Sequence, residues 1–315
     1  MMDYETRLDR LVERLGDIAR RGGALAPYSA AGVGGPADVL VVARTPDDVR
    51  RAVVESRALR LPYKVFGGLS NCLIPDGGVR GVVVLNRARD FRFAADHRVH
   101  ADAGAPMIQV ARAAVARGWG GLTWAVGLPG TVGGAVINNA GAFGGEIAGV
   151  VHTARLLGPD DAVHEVTPEW FDFRYRCSRL KGAGEDWVVL AVTFQLRPGD
   201  PAHLQAKAQE YTARRRSRQP PGRTLGSTFK NPRGDYAGRL IEAAGFKGRR
   251  VGGVVVSPRH ANFLVNEGAG TAADYRTLIR QIQTEVERKF GVRLEPEIEI
   301  LEERLVGIET TPEGS

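Results

Sequence analysis

The sequence predicts a mixed α/β (α+β) protein built from three successive units, on three observations. Val-rich runs bounded by glycine and proline, ADVLVVA (37–43), GVVVLN (81–86) and WVVLAVTFQLR (187–197), read as strands. Longer segments with apolar residues every three or four positions read as helices between them. The 40 glycines in 315 residues concentrate where strands give way to loops. With 43% hydrophobic and 25% charged residues, the composition excludes a disordered, collagenous or coiled-coil chain. At this length roughly three quarters of the extended surface can be buried.

Element by element, Leu8, Leu11, Leu15 and Ile18 recur at helical spacing and predict an amphipathic opening helix, followed by a Gly/Ala/Pro loop at 22–27. After the strand at 37–43 comes a helix capped by Thr45 with Pro46 at its first position. Threonine can accept from the first turn there, and proline has no N–H to lose. PYKVFGG (62–68) and GVVVLN complete a first α/β unit, residues 1–90. A helix at 106–117 leads through a glycine-dense tract, 118–149, to VVHTARLLG, HEVT and WVVLAVTFQLR, strands of an antiparallel-rich sheet in a second unit, 91–200. The third unit, 201–305, begins with an Arg-rich helix ending at Pro220 and Pro221. A loop at 219–234, a helix around 236–244, strands at 251–256 and 262–265 and a helix at 272–290 follow. RLEPEIEILEE (293–303) reads as the last strand, and residues 306–315 as a frayed tail.

The formal charge of +7 is 43 basic against 36 acidic residues spread along the chain, which is no nucleic-acid footprint. Its densest run, Arg214, Arg215, Arg216 and Arg218, reads either as a solvated helix end, where cations meet the negative pole, or as an anion site. No apolar run approaches the roughly 20 residues that span a bilayer, and the charged N-terminus is unlike a signal peptide. A cytoplasmic protein without membrane insertion is expected. Cys72 and Cys177 read as free thiols of a reducing compartment. Without H-E-x-x-H or clustered cysteines, no metal site is expected.

Three glycine clusters, GVGGPAD, FGGLSNCLIPDGG and VGLPGTVGGAVINNAGAFGGE, offer peptide N–H groups unobstructed by side chains, which suits a pyrophosphate. Tight turns are the bland account of any one of them, and neither standard nucleotide-loop template is present. In GRTLGSTFKNPRGDYAGRLIEAAG a hydroxyl, an ammonium and a carboxamide (Ser227, Lys230, Asn231) crowd a loop before a helix, suiting a phosphate or carboxylate ligand. A lone loop lysine is more often solvent-facing. Tyr175 and Arg176 in FRYRCSRLK, and Glu295 and Glu297 in LEPEIEI, complete the polar set. Period-two alternation would make those glutamates an exposed strand face.

Together GGPAD, GGLSNCL with DGG, GLPGTVGGAVINNAGAFGGE, YRCSRLK, GSTFKNPRGDYAGRLIEAAG, VSPRHANFLVN and LEPEIEI resemble the UDP-N-acetylenolpyruvoylglucosamine reductases, flavoenzymes of peptidoglycan synthesis. The resemblance runs from about residue 28 to 301 and is closest to the compact, type II form. PGTVGGA is shared with the wider FAD family named after p-cresol methylhydroxylase, whereas GSTFKNP and the terminal LEPE narrow it. The resemblance implies a two-part FAD-binding module of that type plus a C-terminal α/β substrate-binding domain. It places Gly67, Gly68, Ser70 and Asn71 at the FAD pyrophosphate and Gly127, Pro129, Gly130, Thr131, Gly133 and Gly134 under a noncovalently held cofactor. Leu69, Cys72 and Gly32 depart from the family pattern, standing where a third glycine, a leucine and a basic residue are usual.

Further implied are NADPH as co-substrate and UDP-N-acetylglucosamine enolpyruvate as substrate, in a cytoplasmic monomer serving cell-wall biogenesis, division and shape. Ser227 matches the proton donor, and Arg176 and Glu297 the groups that organise charge around the carboxylate and enolate. Tyr175, Lys230 and Asn231 match the substrate site, the latter two at the diphosphate or uridyl part. Arg215 with Arg218 would reach the phosphates, and His260 either contacts ligand or is satisfied at a strand edge. The nearest rival is another FAD oxidoreductase of the same fold, which would lack GSTFKNP. A nucleic-acid protein built on the arginine run would carry interleaved aromatics, which are missing.

Overall fold

The computed structural model describes residues 2–181 and 186–305; the tail expected at 306–315 lies outside the described residues. Helix α1 (Tyr4–Leu15) starts where Asp3 accepts from Thr6 N, and it buries Leu8, Leu11 and Leu15 on one face. Ile18 extends that face from a separate 3-10 turn, residues 16–18, not from the helix itself. The loop expected at 22–27 is partly strand. Ala19–Ala24 pairs antiparallel with Pro36–Ala43, and a Cβ at Gly23 would sit 2.3 Å from Leu40 Cβ, so this glycine serves close packing and not a turn.

Helix α2 (Pro46–Ala58) opens with the reciprocal cap of Thr45 and Asp48, each side chain accepting at 3.0 Å from the other's N–H, worth about 1 kcal/mol. It crosses over a sheet ordered Ala19–Ala24, Pro36–Ala43, Val79–Asn86, Tyr63–Phe66, whose last three strands run parallel. Val39, Val41, Val82 and Val84 meet α1 and α2 in one core. That core also takes Leu157, Val188 and Leu190 from the next sheet, so the first two units are packed together.

The second sheet is five-stranded and antiparallel, in the order Val163–Val166, Val151–Leu157, Val188–Gln195, Arg98–Asp102, Phe91–Phe93. The last two strands are too short and too charged to stand out in the sequence. Helices α3 (Met107–Ala116) and α4 (Val132–Ile137) pack on it, α4 lying inside the glycine-dense tract. Helix α5 (Pro201–Arg218), assigned from sequence to the third unit, sets Leu204, Ala208 and Tyr211 against this second core.

The third sheet is antiparallel, ordered Arg223–Ser227, Phe263–Asn266, Val254–Val256, Arg250–Val251, with α6 (Ala237–Ala243) and α7 (Ala272–Phe290) against it. Part of the expected 219–234 loop is therefore strand, and Ser227 ends it. RLEPEIEILEE is not one strand. Phe229 and Pro296 form an isolated bridge, and only Glu299–Ile300 forms a ladder, parallel to Cys72–Leu73 of the first unit. Proline interrupts the run, and its two halves face two different partners. Asp76 of the first unit accepts from Ala272 and Ala273 N at 2.8 and 2.9 Å, capping α7 across the boundary. Among the described residues no helix is long and apolar enough to cross a membrane.

Candidate active site

Two glycine loops meet face to face. The turn after strand Tyr63–Phe66 brings Gly67 so close to the N-cap of α4 that a Cβ there would lie 2.1 Å from Thr131 Oγ1. Built Cβ atoms on Gly68 and Gly130 would stand 3.7 Å from Gly130 Cα and 3.0 Å from Ser70 Oγ. Thr131 caps α4 by accepting from Gly134 N, and Gly133 N donates to Ala103 O, which fixes the second loop to the sheet. Among the described residues the N–H groups of Gly68, Leu69, Ser70, Asn71, Gly130 and Thr131 donate to no acceptor. Six such peptide donors on two abutting, side-chain-poor loops fit a pyrophosphate, and with it FAD.

Leu69 holds the third-glycine position at φ +47 with its side chain buried, so it adopts the left-handed backbone a glycine would and adds core contact. Cys72 is a free buried thiol against Glu299, its pKa pushed up by burial and by that carboxylate. Beside Gly32 lies the side chain of Arg223, whose Cδ comes within 3.0 Å of a built Cβ.

The polar groups assemble from all three units. Thr228, next to Ser227, accepts at O from Glu297 N at 2.8 Å, and Lys230 N donates to Glu295 O. Asn71 Nδ2 donates to Glu297 O at 3.1 Å, while Asn71 O accepts from Glu299 N at 2.8 Å. Asn71 thus binds the glutamate segment by its side chain. Glu297 Oε1 lies 3.0 Å from Arg176 Nε, yet that N–H points off the line and completes no hydrogen bond. Arg176 Nη1 donates to Gly141 O at 3.1 Å. Burial raises the Glu297 pKa, opposed by the charges of Arg176, Lys181 and Lys230. The exposed-strand account fails for Glu297, and Glu295 is exposed but lies outside any strand, where it pairs with Lys230 Nζ at 3.0 Å.

Arg176 sits at φ +54 in a tight turn closed by Arg174 and Cys177, with Tyr175 59% exposed beside it. The turn is stitched to the end of α4: Asn139 Nδ2 donates to Arg174 O and Ser178 Oγ to Ile137 O. Lys181 Nζ donates to Asn138 Oδ1 at 2.7 Å and to Arg176 O at 3.1 Å, a clamp whose only signal in the sequence is its place in YRCSRLK. Burial, then the charge of Lys230, lowers its pKa. The Ser227 hydroxyl has no hydrogen-bond partner among the described residues. Asn231 Oδ1 accepts from Ala237 N at the start of α6, and Pro129 is exposed.

Arg215 and Arg218 part company. The Arg215 side chain lies on Gly127, its Cδ and Nε 3.0 and 3.1 Å from a built Cβ, whereas Arg218 is exposed and its charge acts on His260. His260 Nδ1 accepts from Asn262 N, and the ring packs edge-on against Phe263. Arg214 and Arg215 both approach the Phe143 ring, which stacks on Tyr211 at 4.2 Å. These aromatics lie far apart in sequence, which is why the reading from sequence passed over them.

A two-unit module with a peptide-donor cradle, opposed by a third unit that brings a serine and a glutamate to it, defines an FAD-containing oxidoreductase. Residues 37–167 match the FAD binding domain, and residues 218–301 match the C-terminal domain of UDP-N-acetylenolpyruvoylglucosamine reductase. The reductase 2 of Symbiobacterium thermophilum is 41% identical over 95% of this chain and 97% of its own length. The reductase of Chloroflexus aggregans is 42% identical over 85% and 93%. The crystal structure of the reductase from Thermus caldophilus superposes with a TM-score of 0.75 at 33% identity, covering 90% of this chain and 97% of that one. The chain belongs to the UDP-N-acetylenolpyruvoylglucosamine reductase family.

Proposed function

We propose that Ser227, Arg176 and Glu297 are the groups with which this chain reduces UDP-N-acetylglucosamine enolpyruvate to UDP-N-acetylmuramate, using NADPH. The approach of the third unit's Ser227–Thr228 and Glu297 segments to Arg176 of the second unit and Asn71 of the glycine cradle carries the reading. The glycine cradle of Gly67, Gly68, Gly130 and Thr131 would hold FAD, which, once reduced by NADPH, would supply the hydride for the terminal vinyl carbon of the substrate. The chain must then hold the carboxylate, stabilise the second negative charge that hydride addition delocalises into it, and deliver a proton to the carbon that bears it. Arg176 offers a planar cation for the carboxylate. Ser227 Oγ, with no hydrogen-bond partner among the described residues, gives its proton to the enolate carbon; the basicity of that carbon makes a weak acid sufficient, and solvent restores the hydroxyl. Glu297, whose pKa burial raises against the pull of Arg176, Lys181 and Lys230, orients Arg176 through the 3.0 Å approach of its Oε1 to Arg176 Nε.

Gly67, Gly68, Ser70, Gly127, Gly130, Thr131, Gly133 and Gly134 line the FAD site in this reading, and Tyr175, Lys230 and Arg218 its outer, sugar-nucleotide side. Asn71 acts through Glu297, and Asn231 through the start of α6. Every group comes from one chain, so a monomer suffices. Both substrates carry phosphates and do not cross membranes unaided, which supports a cytoplasmic reaction whose product would serve peptidoglycan synthesis, growth and division.

Ser227→Ala separates the half-reactions. Flavin reduction by NADPH is expected to survive, while reoxidation by the enolpyruvyl sugar nucleotide slows by about a hundredfold or more, the scale of a lost general acid. Ser227→Cys retains more than the alanine variant. Stopped-flow flavin absorbance reads both steps, and wild-type reoxidation in Ser227→Ala removes the serine from the mechanism.

A further inference from the structure

Arg215 is a guanidinium tucked into the protein with no ion-pair partner among the described residues. Its Nε is shut off from solvent and, among the described residues, has no hydrogen-bond partner, while Arg215 Nη1 meets Gln219 Oε1 at a long 3.5 Å. The one charge that acts on it is that of Arg176, a second cation. Burial, then Arg176, lowers its pKa. Arg176 has the same defect, a buried Nε that completes no hydrogen bond. Glu297 meets Arg176 alone, and two neighbouring cations with unsatisfied, desolvated donors and a single carboxylate are unfavourable unless a further anion belongs there. Phe143 flanks the Arg215 guanidinium at 5.8 Å from its ring centroid, limiting where it can turn. Its stem lies on Gly127, in the loop assigned to the cofactor, and not out by Lys230, Asn231 or Arg218.

We infer that Arg215 pairs with Arg176 on the enolpyruvyl carboxylate of the substrate, and does not hold its diphosphate. The inference rests on the function proposed above and names the group Arg215 takes in that site. The chemistry calls for two cations. Hydride addition turns a carboxylate monoanion into an enolate with a second negative charge, so a pair of guanidiniums gains attraction as the reaction proceeds. Arg218, three residues on and exposed, is left to meet the phosphates at the mouth.

The test compares two ligands that share the UDP-sugar and differ in the enolpyruvyl group: UDP-N-acetylglucosamine enolpyruvate and UDP-N-acetylglucosamine. Both are titrated calorimetrically into oxidised, FAD-loaded wild-type, Arg215→Met and Arg218→Met enzymes. Arg215→Met is expected to weaken the enolpyruvyl ligand about 100-fold, the scale of removing one partner from a desolvated charge pair, and to leave UDP-N-acetylglucosamine within about threefold. Arg218→Met is expected to weaken both alike. Reoxidation of reduced Arg215→Met by the enolpyruvyl ligand falls at saturation as well, because the second charge is less stabilised. Arg215→Gln, which keeps a polar end, serves if the methionine variant loses FAD on folding. An equal loss for both ligands in Arg215→Met, or no loss for either, overturns the inference, as does loss of FAD in both Arg215 variants. A wild-type enzyme that binds no enolpyruvyl ligand overturns the functional reading itself.

Discussion

His260 shows how a packing role and a functional role separate at one residue. Its Nδ1 is occupied as an acceptor from Asn262 N, its ring leans on Phe263, and a Cβ at Gly238 would come within 3.0 Å of it. Burial lowers its pKa from 6.5, with Lys247 and Arg218 adding to the effect. The unfolded chain therefore takes up a proton at a pH where the folded ring still refuses it. The resulting stability is present above the unfolded value and is lost as pH falls through 6.5 toward the folded pKa. His260→Gln should flatten the fall of melting temperature between about pH 7.5 and about pH 5. An unchanged slope in scanning calorimetry would show that the ring contributes nothing to acid sensitivity.

At the scale of elements, the contact between the turn at Gly67 and the start of α4 decides whether a cradle exists. Adding one methyl at Gly67 would drive a carbon to within 2.1 Å of Thr131 Oγ1, which also caps α4 through Gly134 N. The loops must separate or the cap must turn away. Gly67→Ala should weaken FAD binding at least about tenfold, equivalent to about 1.4 kcal/mol, with helix content unchanged. The flavin-to-protein absorbance ratio after gel filtration, beside far-ultraviolet circular dichroism, reads it. A full complement of FAD would mean that the close approach is incidental.

For the whole molecule the corresponding question is what holds the first two units in register, and Arg57 of α2 is the main polar strut. Its guanidinium, nearly buried, reaches Asp161 at 2.6 Å, Asp186 at 2.9 Å, Gly158 O at 2.7 Å and Tyr63 Oη at 2.9 Å. Arg57→Met keeps the stem and strands two carboxylates. Because those carboxylates are 44% and 42% exposed, water relieves much of the loss, and the cost should be about 1–3 kcal/mol. A lower urea midpoint with an unchanged slope is the expected result, and an unmoved midpoint would remove Arg57 from the interface.

Local signals were enough for much of this. Leu8, Leu11 and Leu15 announce α1 by spacing, Thr45 and Pro46 announce the start of α2, and ADVLVVA and GVVVLN announce strands, because each signal lies within one turn or one strand. The glycine loops, GSTFKNP and LEPE likewise marked the family, the cofactor and the residues around Ser227 and Glu297. The sequence could not say which groups meet. Asn71 and Glu297 are 226 positions apart, and the alternation in RLEPEIEI suggested a solvent face where Glu297 in fact turns to Arg176. Strand Arg223–Ser227 was hidden because pairing with Phe263–Asn266, not its own apolar pattern, holds it. Arg215 and Arg218 look equivalent in a helical run, and only the packing of α5 on the second core presses one against Gly127 and leaves the other in water. Periodicity and caps are properties of neighbours in the chain. Burial, charge pairing and an orphaned donor are properties of neighbours in space, and those exist only once the units have closed on one another.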